Sequence, residues 1–320
     1  IRSQTSRGSK PFLLIHSFGH VHTPIVSAPE NRGRSKHGRY GDSIEEMDQG
    51  VVALLTALDE MQLAGSTILY FVSDHGGSIE DVGEDGQRLG GFNGRFKGGK
   101  FMGGMEGGIR VPGIMRYPGV IPAGKDVTVP TSLLDTLPTL LELAGLPSVD
   151  KLLGHMSTTR ELDGVSFAGL VTSAEEGVLT APHDGRFFLH HGGRYINAVR
   201  YTTGDHVYKM HLLRPHFTAG SYQCGWGERL LCRGWMGPTM MEDIREHPQL
   251  YDLTTDPYED HPLPDNSAQY KSVVQELRQR IQQWESKVVY PPSQFSKKWN
   301  MVLLPWLQPF SRKWLYSLFD

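Results

Sequence analysis

The sequence has only two cysteines, Cys224 and Cys232, and no apolar run long enough to cross a membrane. The cysteine spacing fits neither a zinc ribbon nor a redox pair, which leaves a local disulfide and two free thiols as alternatives. A spanning helix needs about twenty consecutive apolar residues, so a conventional span is excluded from this portion. No asparagine stands in an Asn-x-Ser/Thr site, so glycosylation gives no indication of the compartment.

A strong excess of charge of either sign is also missing. The formal net charge is -3 over 320 residues, which argues against a nucleic-acid partner and against disorder and favours a small-molecule ligand. The chain is 38% hydrophobic, enough for one large core or a large and a small one. It opens with Ile1-Arg2-Ser3, without an initiator Met or a signal-peptide pattern, so we expect the natural chain to start elsewhere.

Apolar periodicity predicts an α/β arrangement in the first part of the chain. Residues 11–16 form a short apolar run typical of a buried strand, and residues 67–73 form a second one. Between them, apolar residues recur at helical spacing from Asp42, as N-cap, to a stop at Gly65. Strand, helix and strand in this order predict a parallel sheet, whose ligands collect beyond the carboxyl ends of its strands.

The second part reads as a smaller α+β unit. A helix is predicted over 133–143, and the turn-rich residues 146–185 suggest a boundary. We therefore expect an α/β domain over 1–185, a small subdomain over 186–290 and an aromatic and basic tail over 291–320. The subdomain should contain a helix over 267–287, lying across short antiparallel strands at 187–190, 195–201, 206–212 and 249–253.

Two polar segments carry candidate metal or acid–base chemistry. Asp74-His75-Gly76 follows the second strand and offers a carboxylate and an imidazole, although an Asp that caps a helix is the simpler interpretation of an isolated motif. His20 and His22 stand two residues apart and would face the same way on an extended segment. A histidine there could bind metal or transfer a proton, and an incidental surface position is equally compatible with this stretch.

A glycine-rich stretch carries candidate anion-binding groups. Lys97, Lys100 and Arg110 stand among glycines and could neutralise sulfate or phosphate. A solvated basic loop is the simpler alternative for such a cluster. Glu106 stands four residues before Arg110, so these two side chains could instead pair with each other.

Taken together and in order, these segments resemble the aryl and steryl sulfatases, and most of all the steryl-sulfatase subgroup. The resemblance covers nearly the whole chain and is carried by Pro11-Phe-Leu-Leu with His20-Val-His-Thr, Lys36-His-Gly-Arg-Tyr-Gly-Asp-Ser, Ser73-Asp-His-Gly-Gly, Lys97-Gly-Gly-Lys-Phe-Met-Gly-Gly-Met-Glu-Gly-Gly-Ile-Arg-Val-Pro112, Asn197-Ala-Val-Arg, Leu250-Tyr-Asp-Leu and Pro305-Trp-Leu-Gln308.

The resemblance implies an alkaline-phosphatase-like fold, with a mixed sheet between helices, here incomplete, and a smaller carboxy-terminal α+β subdomain. It implies that Asp74 and His75 hold a divalent metal ion, calcium in many relatives. It further implies that His22 stands near the leaving oxygen and that Lys100 binds the sulfate, with His20 as a further pocket residue.

The family's nucleophile is a formylglycine made in a Cys-x-Pro-Ser-Arg motif, which neither Cys224 nor Cys232 matches. The resemblance places this motif, the first metal-binding Asp pair and the membrane-inserted hairpin of the subgroup in a preceding region. We therefore expect the intact protein to hydrolyse aryl or steroid sulfate esters in the secretory pathway, and this chain alone to be inactive.

Two alternatives remain from the residues. A phosphatase or phosphodiesterase of the same superfamily would also use Asp-His-Gly, with zinc and phosphate. A non-catalytic fragment could instead act through the tail, whose aromatic and basic residues suit either a membrane surface or a groove on the protein itself.

Overall fold

The structure, a computed structural model, describes residues 10–155, 162–173, 184–192, 195–217 and 241–289. Two compact units make up the chain, Ile1–Val274 and Gln275–Asp320. The predicted tail over 291–320 and both cysteines lie outside the described residues. No helix in the described ranges has the length and apolar character needed to span a bilayer.

The amino-terminal half of the chain, within the first unit, contains the elements around the candidate site residues. Helix α1 spans Gly38–Glu60, strand β1 Leu69–Val72, the short helix α2 Glu106–Ile109 and strand β2 Gly113–Arg116. β1 and β2 pair antiparallel, with Tyr70 opposite Met115. Helix α3, Thr136–Leu143, follows a 3-10 turn over Leu133–Asp135, and α4 spans Val149–His155 and α5 Ala168–Thr172.

The predicted buried strand over residues 11–16 is wrong for this chain. These residues adopt no regular structure, and the side chains of Leu13 and Ile15 are 79% and 80% exposed. A strand requires a neighbour for its backbone N–H and C=O groups, and no strand among the described residues pairs with this segment. Residues 11–16 therefore do not make the expected parallel pairing with β1.

Helix α1 begins one turn before the position predicted from its apolar pattern. Asp42 lies inside the helix and does not cap it, since its carboxylate accepts the backbone N–H groups of Gly33 and Ser35, both at 2.8 Å. The side chain therefore holds the loop that precedes the helix. These hydrogen bonds lower the pKa of Asp42, with the one from Ser35 contributing most.

The helix predicted over 133–143 is confirmed as the 3-10 turn and α3, with its start at Ser132. Ser132 and Asp135 form a capping box: the Ser132 hydroxyl accepts from Leu134 N–H, and the Asp135 carboxylate accepts from Ser132 N–H at 2.7 Å. The chain then folds again in the region expected to be turn-rich, where α4 and α5 were not predicted. Both helices have seven residues or fewer, too short to show a clear period.

The antiparallel sheet of the second half is confirmed. Strands β3 (Phe187–Gly192), β4 (Tyr195–Thr203), β5 (His206–His211) and β8 (Gln249–Asp252) pair in that order, and the pair β6 (Leu213–Pro215) and β7 (Met241–Asp243) stands apart. The buried side chains of Val199, Met210 and Leu250 form its apolar face. Helix α6, Ala268–Glu285, begins beside this sheet, since Gln269 donates to the Tyr208 hydroxyl at 2.8 Å.

Candidate functional site

The candidate metal ligands lie immediately after β1. Asp74 Oδ1 accepts the backbone N–H of His75 at 2.9 Å, and Asp74 Oδ2 lies 3.2 Å from His75 Nε2. His75 Nδ1 lies 2.8 Å from the carbonyl oxygen of Gly76. The Asp74 side chain is 81% exposed, so its carboxylate is accessible from outside the loop.

His22 and Lys100 meet although they are far apart in the sequence. The ammonium nitrogen of Lys100 lies 3.1 Å from His22 Nε2. His22 Nδ1 lies 2.6 Å from the carbonyl oxygen of Thr23. A carbonyl can only accept, so Nδ1 carries the hydrogen and Nε2 accepts from the ammonium group.

Backbone hydrogen bonds between three glycine-rich segments bring these two pairs to the same region. Lys100 N–H donates to Gly77 O at 3.1 Å, and Gly76 N–H donates to Gly108 O at 2.9 Å. A Cβ atom on Gly76 would lie 1.8 Å from the carbonyl oxygen of Gly107. Glycine is therefore required at Gly76 for the close backbone approach that places the Asp74 loop against Gly107 and Gly108.

Asn93 is a site residue that sequence reasoning missed. Its Oδ1 accepts Gly77 N–H at 2.9 Å, while its amide nitrogen donates to Gly77 O at 3.2 Å and to Gly98 O at 2.9 Å. One carboxamide thus joins the loop after Asp74 to the loop before Lys100. No local pattern marks such a residue, because its three partners are backbone atoms brought together by folding.

The fit of a metal ion to Asp74 and His75 is partial. The two side chains stand together and supply a carboxylate and an imidazole, which suit a divalent cation. Within the described ranges no group of three or more His, Cys, Asp or Glu side chains could hold an ion. Nor does any hydrogen bond or ion pair among the described residues link Asp74 or His75 to the His22–Lys100 pair. The two residues fit as part of a coordination shell.

Of the three cations suggested for anion binding, Lys100 alone contacts His22. Lys97 donates to the carbonyl oxygen of Glu259 and lies 3.4 Å from Asp260 Oδ1. Arg110 lies 3.9 Å from Glu106 and stacks on the Phe96 ring at 4.7 Å. The alternative pairing of Glu106 with Arg110 is thus observed, and Lys97 and Arg110 are engaged by the protein itself.

His20 and His22 contact different parts of the molecule. His22 N–H donates to Gly19 O at 3.3 Å in a turn, so the segment is not extended and the expectation of a common direction is wrong. His20 Nε2 lies 3.5 Å from Glu46 Oε1 on α1. The structure therefore places His20 against the helix.

A buried charge network supports the Lys100 loop from the carboxy-terminal sheet. The Glu106 carboxylate contacts Arg200 on β4 and lies 2.7 Å from Lys209 Nζ on β5; Lys209 also lies 3.0 Å from Glu259. Burial alone would raise the pKa of Glu106, but the charges of Lys209 and Arg200 outweigh it and lower the pKa to about 2. The carboxylate is thus ionised and tied to two cations, which fixes the start of α2.

Comparison with known proteins relates both halves of the chain to one family. Residues 1–146 match a family model described as Sulfatase, and residues 182–317 match one described as the C-terminal region of aryl-sulfatase. The chain is 42% identical to human Arylsulfatase H over 307 residues, which are 94% of the chain and 50% of that protein. It is 37% identical to mouse Steryl-sulfatase over 302 residues, 94% of the chain and 45% of that protein.

A solved structure resembles the fold. The crystal structure of the PsFucS1 sulfatase from Pseudoalteromonas sp. matches with a TM-score of 0.68 and 24% identity, over 89% of this chain and 50% of that one. This likeness confirms the expected α/β fold. The chain spans about half the length of the curated relatives it matches.

Proposed function

Because this chain belongs to the sulfatase family, we propose that the intact protein hydrolyses sulfate esters and that this chain supplies part of its active site. The observation that carries the proposal is the 3.1 Å contact between Lys100 Nζ and His22 Nε2. An ammonium group beside an imidazole suits a reaction in which an anion must be bound and a leaving oxygen protonated.

Each residue of this pair has a distinct role in the proposal. Lys100 offsets the negative charge of the sulfate group as a point charge. His22 takes up a proton from water at Nε2 and donates it to the leaving ester oxygen, while Nδ1 stays hydrogen-bonded to the Thr23 carbonyl. That hydrogen bond also sets the orientation of the ring, so Nε2 faces Lys100 and the anion that Lys100 would bind.

Sulfatases generally use a divalent metal ion, and Asp74 and His75 are the residues that would hold it here. We propose calcium, for which the Asp74 carboxylate is a suitable ligand. When bound, the ion would polarise the sulfate group and help to activate the nucleophile. Two side chains cannot complete its shell, so further ligands are required from other residues.

The nucleophile is proposed to be a formylglycine outside this chain, since neither Cys224 nor Cys232 stands in a Cys-x-Pro-Ser-Arg motif. Its relatives Arylsulfatase H and Steryl-sulfatase are named for aryl and steroid sulfate esters, which favours a substrate of this class. We further propose the secretory pathway as the location, with a membrane-surface contact through the aromatic and basic tail at 291–320.

Isothermal titration calorimetry with inorganic sulfate and inorganic phosphate tests the anion site. We expect the chain to bind sulfate in preference to phosphate, and Lys100→Ala to weaken sulfate binding at least tenfold because it removes the ammonium group. Lys36→Ala, at an exposed lysine, is the matched control and should bind as the wild type does. Sulfate binding that survives Lys100→Ala would contradict the proposal, and a preference for phosphate would favour the phosphatase alternative.

A further inference from the structure

Phe101 occupies a backbone conformation that its side chain disfavours. Its φ is +68°, in the left-handed region that costs a non-glycine residue free energy. The residue stands third in a tight turn closed by Met102 N–H, which donates to Gly99 O at 3.0 Å. Turns with a positive φ at this position normally place glycine there. This turn has phenylalanine instead, in a stretch that is otherwise rich in glycine.

The packing of the following residues holds this turn in place. Met102 is buried, and a Cβ atom on Gly104 would lie 2.3 Å from the Ala198 side chain on β4. The backbone after the turn is therefore pressed against the carboxy-terminal sheet. Phe101 itself is 51% exposed, so packing into a core does not account for a phenylalanine at this position.

The Phe101 ring lies next to the proposed sulfate-binding group. Lys100 Nζ is 5.1 Å from the centroid of the ring, and the same nitrogen is 3.1 Å from His22 Nε2. The carbon skeleton of a sulfate ester begins one bond from the oxygen that His22 would protonate. An aromatic group on that oxygen is therefore within reach of the Phe101 ring, since aromatic pairs interact at centroid distances of roughly 4.5–7 Å.

We propose that Phe101 is a specificity-determining residue, whose exposed ring packs against the aromatic or ring-bearing alcohol portion of the sulfate ester bound at Lys100. The inference rests on the proposed function of the Lys100–His22 pair and adds a contact to the part of the substrate that is not sulfate. Strained residues persist where the surrounding structure holds them in place, and they cluster at active sites and ligand-binding sites. That relation accounts for a strained, half-exposed ring beside a charged group.

The test compares the wild-type chain with Phe101→Gly and Phe101→Tyr. Dissociation constants for 4-methylumbelliferyl sulfate, ethyl sulfate and inorganic sulfate are measured by calorimetry, and Tm is measured for each variant. Phe101→Gly should weaken binding of 4-methylumbelliferyl sulfate about 3- to 10-fold and leave binding of the other two ligands unchanged. Its Tm should equal or exceed that of the wild type because glycine accepts the positive φ. Phe101→Tyr should retain the wild-type preference.

Phe92→Ala is the matched control. Phe92 is 71% exposed and contacts Arg88, and none of its described ring contacts involves Lys100, so this variant should keep the preference for the aromatic ester. Equal affinity of wild type and Phe101→Gly for the aromatic ester, with sulfate still bound, overturns the inference alone. A parallel loss for all three ligands, together with a lower Tm, also overturns it, since that pattern indicates a role in folding. Absence of any sulfate binding by the wild type overturns both the inference and the proposed function.

Discussion

Asn93 connects the two loops of the candidate site through one side chain. It uses both halves of its carboxamide, accepting from Gly77 and donating to Gly77 and Gly98. A carboxylate of the same size could still accept but could not donate. The residue therefore offers a way to alter the relation between the Asp74 and Lys100 loops without changing any group proposed to touch the substrate.

We expect Asn93→Asp to destabilise the chain by about 1–3 kcal/mol, because it leaves two carbonyl oxygens facing a carboxylate. Sulfate affinity should fall several-fold as Lys100 moves. Urea denaturation measures the stability, and hydrogen exchange at the Lys100 amide measures opening of the loop. Asn266→Asp, at an exposed asparagine, should change neither quantity. Unchanged exchange at Lys100 in Asn93→Asp would show that the two loops are held together by other contacts.

At the scale of elements, the short helix α2 is attached to strands β4 and β5 through buried charges. Glu106, Lys209 and Glu259 are almost completely buried, and each has a partner of opposite charge. Burial raises the pKa of Glu259, but the charges of Lys209 and His211 outweigh it and hold that pKa well below its ordinary value. Removing one member leaves the others charged and uncompensated, which is the costly case for buried pairs.

We predict that Glu106→Gln lowers the free energy of unfolding by about 3–5 kcal/mol at neutral pH. The folded pKa of Glu106 is about 2 and its ordinary value is 4.5. Its contribution is therefore fully present above pH 4.5 and is lost as the pH falls toward 2. Denaturant unfolding of both proteins across this range should show the difference between them shrinking with acidity.

Glu242→Gln is the control for this series. Glu242 lies 2.6 Å from Arg214, but both side chains are partly exposed, and exposed pairs contribute at most about 1 kcal/mol. A loss for Glu106→Gln as small as that of the control would mean that the buried network does not stabilise the protein. If Glu106→Gln lowered the free energy of unfolding by the same amount at every pH down to 2, the Glu106 side chain would stabilise the protein by packing and not by its charge.

At the scale of the whole molecule, the chain contains proposed binding and proton-transfer groups but no Cys-x-Pro-Ser-Arg motif for the proposed nucleophile. We expect no turnover of 4-methylumbelliferyl sulfate by the purified chain with calcium present. Fluorescence of the released alcohol measures the reaction, and Lys100→Ala identifies any background. Clear turnover that disappears in Lys100→Ala would contradict this expectation and would place a nucleophile within these residues.

The short-range pattern of apolar residues was sufficient to predict most of the carboxy-terminal sheet. Strands β3, β4, β5 and β8 and helix α6 were predicted within a few residues of their ends, because alternation and helical periodicity reflect a face that must be buried. The failure at residues 11–16 has the same origin. An apolar run shows that a segment can be buried, but a strand also needs a neighbour, which the run does not specify.

The sequence by itself determined the family, through a series of motifs in a fixed order, and the residue types available for binding an anion. Only the tertiary structure decided which of them meet. Lys97 and Arg110 are engaged elsewhere, His20 contacts α1, and Lys100 contacts His22 across a separation of 78 residues. The physical reason is that charge and hydrogen-bonding capacity belong to a residue, whereas its partner is selected by packing between segments distant in the chain.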